Sequence, residues 1–297
     1  MPSLPRSISL AALALGNFLG GAQAEPPRSA TPAPAPNSPA AIAALKAKMP
    51  HPLRATLVAE TQGYRPGSTL WLGLALDLDP DWHTYWPGDN DTGAPSKLTI
   101  EAPAGWTVGP LQWPAPKRYI GDGDLLDYVY EGQALVLIPI TIPANASASA
   151  AVTITASATW LVCKDACIPG KADLFIELPP VTGPTPPLST AAPRFAAARE
   201  RLPKDASEAA PSLTHAWTGG RLDLRFVGAR ELTFYPDEKS LHLQNAVASG
   251  SSKSDSLALT FDAPDADRKA ATGVLEVRTS SNPKPQFFSI DLKPTDK

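Results

Sequence analysis

The chain has 297 residues, 43% of them hydrophobic, enough apolar material for two ordinary domains rather than one. Its 26 basic and 29 acidic residues leave a formal charge of −3, so composition offers no footprint for nucleic acid or for an anionic membrane surface. The 34 prolines are about twice the usual share, and many fall in two connecting stretches.

Residues 1–24 read as an export signal. Arg6 supplies the positive end, Ile8 to Leu19 the apolar core, and Ala22-Gln23-Ala24 a small-residue cleavage site. The apolar run is too short to span a bilayer comfortably, and no cysteine sits at the cleavage point to carry a lipid. The expected mature product is soluble, exported and begins near Glu25, in a compartment that permits disulfides. Residues 25–48 form a Pro/Ala-rich tether, with room for a helical turn over Ala41–Lys48.

From 49 to 180 the pattern is that of short strands. Leu53–Glu60 and Ser68–Leu76 flank the turn-forming Gln62–Gly67, and Lys97–Glu101, Leu135–Ile142, Val152–Trp160 and Leu174–Leu178 follow. No long amphipathic helix interrupts them, which points to an antiparallel β-sandwich. Residues 181–211 are a Pro-rich linker holding one short helix, Pro193–Leu202, with proline near its start and another just past its end. Strands resume in a second, smaller β-sandwich over 212–297, at Leu222–Phe226, Leu232–Tyr235, Leu257–Phe261, Gly273–Val277 and Phe287–Leu292. His215 and His242 read there as surface or packing residues.

The two cysteines of the chain, Cys163 and Cys167, lie four positions apart between a β-branched run and Pro169-Gly170, a pair whose turn signal makes the stretch read as strand, tight turn and second strand. On one straight strand they would stand about 13 Å apart, whereas a disulfide needs Cα atoms roughly 4.4–6.8 Å apart. A turn over Lys164-Asp165-Ala166 or a single helical turn would bring them within range. Closing a five-residue ring stabilises a fold by only about 2 kcal/mol, so a reversible pair is expected, with a local structural staple as the competing reading. Lys164 would favour a thiolate and Asp165 would oppose it.

Asp81 to Gly88 packs Trp82, His83, Tyr85 and Trp86 into five positions, and Tyr128, Tyr130 and Trp160 come later. Such rings serve core packing, a ligand-binding face, or an apolar wall around the cysteines. His83 with both cysteines also invites a zinc or copper reading, weak for want of a second nearby ligand. Lys117–Asp124 combines two glycines and two acids with Tyr119 and Ile120, the make-up of a mobile loop with an apolar tip, suited to a lid.

Trp82-His83-Thr84-Tyr85-Trp86, Leu111-Gln112-Trp113-Pro114, Tyr128-Val129-Tyr130-Glu131-Gly132 and Trp160 through Gly170 together resemble the N-terminal periplasmic domain of the DsbD/ScsB family of thiol:disulfide interchange proteins. The resemblance covers about residues 50–180, and the second β region resembles the next region of the ScsB-like branch. It implies an all-β fold of two immunoglobulin-like sandwiches in tandem, with Cys163 and Cys167 as the catalytic redox pair. It further implies that Arg118, Tyr119, Ile120 and Gly121 form a cap loop, Tyr119 being the aromatic that covers the sulfurs. The implied function is periplasmic electron carriage from a membrane-embedded thiol reductase to thioredoxin-like periplasmic acceptors, with no cofactor and no nucleic acid. The three-residue gap between the cysteines matches the ScsB-like branch rather than the longer gap of DsbD itself. This sequence shows neither the membrane segments nor the thioredoxin-like domain of a full-length member, so the expectation, if it is a redox carrier, is that a separate protein supplies its electrons. The alternative class is a non-catalytic exported binding module with a structural disulfide.

Overall fold

Alternating apolar and polar side chains drive the first half of the chain into two facing sheets. The computed structural model describes residues 51–294, so the expected signal, tether and helical turn before His51 lie outside it. Ten strands come first: β1 (Leu53–Ala59), β2 (Thr69–Leu78), β3 (His83–Tyr85), β4 (Lys97–Glu101), β5 (Thr107–Val108), β6 (Lys117–Ile120), β7 (Leu126–Glu131), β8 (Gln133–Thr141), β9 (Val152–Cys163) and β10 (Cys167–Leu178). One sheet has the order β1-β2-β8-β5. The other runs β10-β9-β3-β7-β6, with β4 also pairing β9. Leu72, Leu74 and Leu76 of β2 and Val136 and Ile138 of β8 meet Tyr128, Tyr130, Trp160 and Val162 between the sheets.

The Pro-rich connection is tied down along its length. Glu60 C=O accepts from Ser189 N–H at 2.8 Å, and Pro187 C=O accepts from Gln62 N–H at 2.9 Å. Helix α1 (Ala192–Arg199) then lays Phe195 and Ala198 over Ala75, Leu135 and Leu137 on the outer face of the first sheet. Arg194 pairs with Asp77 at 3.1 Å and Arg199 with Glu60.

The second half contributes β11 (Lys204–Asp205), β12 (Leu213–Thr218), β13 (Arg221–Phe226), β14 (Ala229–Pro236), helix α2 (Ala246–Ser249), β15 (Ser251–Ser252), β16 (Ser256–Thr260), β17 (Ala271–Thr279) and β18 (Gln286–Leu292). They form the sheets β11-β18-β17-β14-β15 and β12-β13-β16. Trp217, Leu222, Leu224 and Leu259 from one sheet pack on Phe234, Leu275, Val277 and Ile290 from the other. The all-β sandwich architecture expected from the alternation is present. The two halves also touch: Tyr235, Val274 and Phe287 join the apolar cluster of the first sandwich. The rings of Tyr128 and Tyr235 meet edge to face, 5.9 Å apart. Asp89 receives Arg268 at 3.0 Å and His242 at 3.1 Å, so His242 has a partner across this contact.

Three local expectations change. Pro169-Gly170 does not close the cysteine turn but lies inside β10, where an edge strand tolerates proline. A Cβ on Gly170 would come within 2.2 Å of Trp160 Nε1, so the indole requires glycine there. Lys117–Asp124 is not one long loop, since Lys117–Ile120 is strand β6, paired with β7. Strands β3 and β12, too short or too polar to read from alternation, are also present.

Candidate functional site: a disulfide at a hairpin tip

Antiparallel β9 and β10 place Cys163 and Cys167 directly opposite each other at the last rung of their ladder. Lys164, Asp165 and Ala166 form the turn, closed by Lys164 N–H donating to Ala166 C=O at 3.3 Å. Of the two geometries open to the sequence, the chain adopts the hairpin. The Cα atoms stand 4.1 Å apart and the sulfurs are bonded. At the tip Lys164 pairs with Asp81 at 3.0 Å, in solvent.

The two half-cystines differ in exposure. Cys163 is 3% exposed, whereas Cys167 is open to solvent. The period of two explains the first: Val162 points into the main core, so Cys163 points to the opposite face of the sheet. There it forms a small apolar cluster with Tyr85 and Val129, against which Leu161 packs.

His83 on β3 is the cross-strand partner of Cys163 and is only 4% exposed. Its ring lies 4.4 Å from that of Tyr119 and 5.4 Å from that of Tyr85. The Tyr85 hydroxyl stands 3.3 Å from His83 Nε2 and 4.0 Å from Cys167 Sγ, linking imidazole to sulfur. Burial lowers the pKa of His83, against a smaller upward pull from the Asp127 and Glu131 carboxylates. Burial likewise raises the Tyr85 phenol, which stays protonated and able to donate. Asp127 itself is buried and accepts from both the backbone N–H and the hydroxyl of Thr92.

Hairpin β6–β7 flanks the site. Its turn is closed by Gly121 N–H donating to Leu125 C=O at 2.8 Å, with Gly123 and Asp124 in the left-handed region at φ +77° and +59°. Tyr119, Ile120 and Leu125 are 36%, 49% and 43% exposed, large apolar groups on this hairpin open to water. Tyr119 seats on His83, the cross-strand partner of Cys163. Arg118 points the other way, and its Nη2 donates to the carbonyls of Ala246 and Val247.

Of the rings expected around the cysteines, His83 and Tyr85 are there. Trp86, Tyr128, Tyr130 and Trp160 lie in the main core, and half-buried Trp82 packs against it. Each of β7 and β9 has two faces, and without the register a cluster of rings cannot be divided between them. The sequence reading also missed Asp127, Val129, Leu161 and Thr92. The alternation of Leu126–Glu131 was the available signal for the first two. Among the described residues His, Cys, Asp and Glu form no cluster of three able to hold a metal ion, so the His83–cysteine metal reading has no support.

Fold and site together define an all-β, immunoglobulin-like sandwich carrying a disulfide at the tip of a hairpin. Residues 54–179, which include both cysteines, match the family model described as "Thiol:disulfide interchange protein DsbD, N-terminal". Among solved structures, the N-terminal periplasmic domain of ScsB from Proteus mirabilis is similar at a TM-score of 0.52 and 14% identity, over 80% of this chain and 92% of that one. The N-terminal domain of DsbD from Neisseria meningitidis in the reduced form matches at 0.27 and 10%, over 45% of this chain and 89% of that one. No curated protein matches the chain. No helix among the described residues is long and apolar enough to cross a membrane.

Proposed function

We propose that this protein is a periplasmic thiol:disulfide carrier that cycles Cys163–Cys167 between disulfide and dithiol. The observation that carries the reading is the unequal exposure of two bonded sulfurs at one hairpin tip, within the segment that matches the interchange family. A thiolate from a membrane-embedded reductase attacks the exposed Cys167 Sγ. The Cys163–Cys167 bond breaks, a mixed disulfide forms on Cys167, and Cys163 leaves with the electron pair. The donor's second thiol then attacks that mixed disulfide and frees Cys167. The donor ends oxidised, and the carrier ends as a dithiol, two electrons and two protons richer. In the second half-reaction the Cys167 thiolate attacks the disulfide of a thioredoxin-like acceptor, and Cys163 resolves the intermediate, an intramolecular and therefore fast step.

The Tyr85 hydroxyl lies where it can donate toward charge on Cys167 Sγ. Tyr119 on hairpin β6–β7 acts as the cap residue by covering His83 beside Cys163, while Ile120 and Leu125 offer an apolar rim to a docking partner.

The test is trapping. Cys163→Ser should leave an exposed Cys167 that accumulates a mixed disulfide with an oxidised thioredoxin-like protein, detected by non-reducing gel and mass spectrometry. Cys167→Ser should leave a buried thiol that traps nothing. If both single variants exchange at the wild-type rate, or if the pair has a reduction potential below about −300 mV as a structural bond does, the carrier reading fails. A binding module with a staple would then remain.

A further inference from the structure

Arg118 and Tyr119 are consecutive on β6 and therefore leave the sheet on opposite faces. Tyr119 meets His83, 4.4 Å ring to ring. Arg118 reaches into the second sandwich, where Nη2 donates to Ala246 C=O at 2.7 Å and to Val247 C=O at 2.9 Å. Those carbonyls open the one-turn helix α2. That turn is held in place by Gly250, whose N–H donates to Ala246 C=O at 3.0 Å and whose C=O accepts from Phe234 N–H at 2.9 Å. The side chains of Ala246 and Val247 pack against the core of the first sandwich. The root of the same strand is held as well: Arg201 donates to Ala115 C=O at 2.7 Å and to Pro116 C=O at 3.1 Å, and its guanidinium lies 5.0 Å from the Phe287 ring centroid. Thus β6 is fixed at its root by Arg201 and at its middle by α2, leaving the tip at Gly121–Leu125.

We infer that the second sandwich positions the cap, and that Arg118 is the positioning residue through which helix α2 holds Tyr119 against His83 and keeps Cys163 covered. A guanidinium donating to two carbonyls is a charge-assisted, directional anchor. Because Arg118 and Tyr119 share a backbone, displacing one displaces the other. The inference rests on the cap reading of Tyr119 given above. It assigns the second half of the chain a task in the thiol chemistry.

The experiment measures how fast N-ethylmaleimide alkylates Cys163 in the full chain carrying Cys167→Ser, with the thermal midpoint as a folding control. Adding Arg118→Ala should speed alkylation by roughly tenfold or more, the size expected when a charged hydrogen bond is lost. Tyr119→Ala should do the same, and the combined variant should be no faster than Tyr119→Ala alone. Arg118→Lys should recover part of the protection. Val247→Asp, which disturbs α2 while leaving the sequence of β6 unaltered, should also speed alkylation if Arg118→Ala proves too unstable to assay. If Tyr119→Ala uncovers Cys163 while Arg118→Ala and Val247→Asp leave it protected, the positioning role falls and the cap survives. The role also falls if the two effects multiply in the combined variant. If Tyr119→Ala changes nothing, the cap reading falls and this inference with it, while the trapping test still decides the carrier reading.

Discussion

Burial strips the water an imidazolium would need and so lowers the pKa of His83, and the carboxylates of Asp127 and Glu131 offset this only in part. The groups facing it are the Tyr85 phenol on its own strand, Tyr119 on β6, Asp127 and Glu131 on β7, and Cys163 on β9. The direction of the shift fixes the pH response. Unfolded, His83 takes a proton near 6.5, and folded it does so only at lower pH. In the window between those values the unfolded chain binds the extra proton, so stability rises with pH and is lost on acidification. The slope is at most about 1.4 kcal/mol per pH unit. Urea midpoints measured between about pH 5 and 8 should fall toward the acid end for the wild type. In His83→Gln the fall should be shallower, and identical profiles would mean that His83 titrates as though free.

At the scale of the element, hairpin β9–β10 depends on one close approach. Gly170 sits against the indole of the buried Trp160, and a methyl group there would fall 2.3 Å from its Cε2. Gly170→Ala should therefore destabilise the fold by about 1–3 kcal/mol, the usual cost of overpacking. Chemical denaturation would measure it, and an unchanged midpoint would show that the indole can give way. The same hairpin marks what the sequence made legible. Strict alternation in Val152–Trp160 and Leu222–Phe226 announced strands, and the cysteine spacing announced a turn. Pro169-Gly170 was misleading because its glycine answers to a ring ten residues earlier, a tertiary cause that local turn propensity does not encode. Dividing the aromatic cluster needed the β3–β7–β9 register, which no single strand carries. The anchoring of Arg118 joins positions 128 residues apart, beyond the reach of any motif.

At the scale of the whole molecule, Tyr235, Val274 and Phe287 sit in the core of the first sandwich. The hydroxyl of Tyr235 also donates to the buried Glu276 at 2.5 Å. Melting either sandwich exposes part of the other, so calorimetry on the full chain should record one transition rather than two. Tyr235→Ala should lower it as a unit, by roughly 6 °C or more. Two separate peaks, with only the second half's peak shifted, would mean that the sandwiches melt independently. Strand β10 is an edge strand, bonded in its sheet to β9 alone, though Leu178 and its neighbours pack on the first core. Its sulfur link closes the hairpin end of that ladder. Opening a ring of five residues releases a restraint of about 2 kcal/mol, and the freed end loosens while both cores stay shut. If the pair cycles as proposed, the event that loads the carrier also softens its rim, and a visiting protein can sense a full carrier from an empty one by touch.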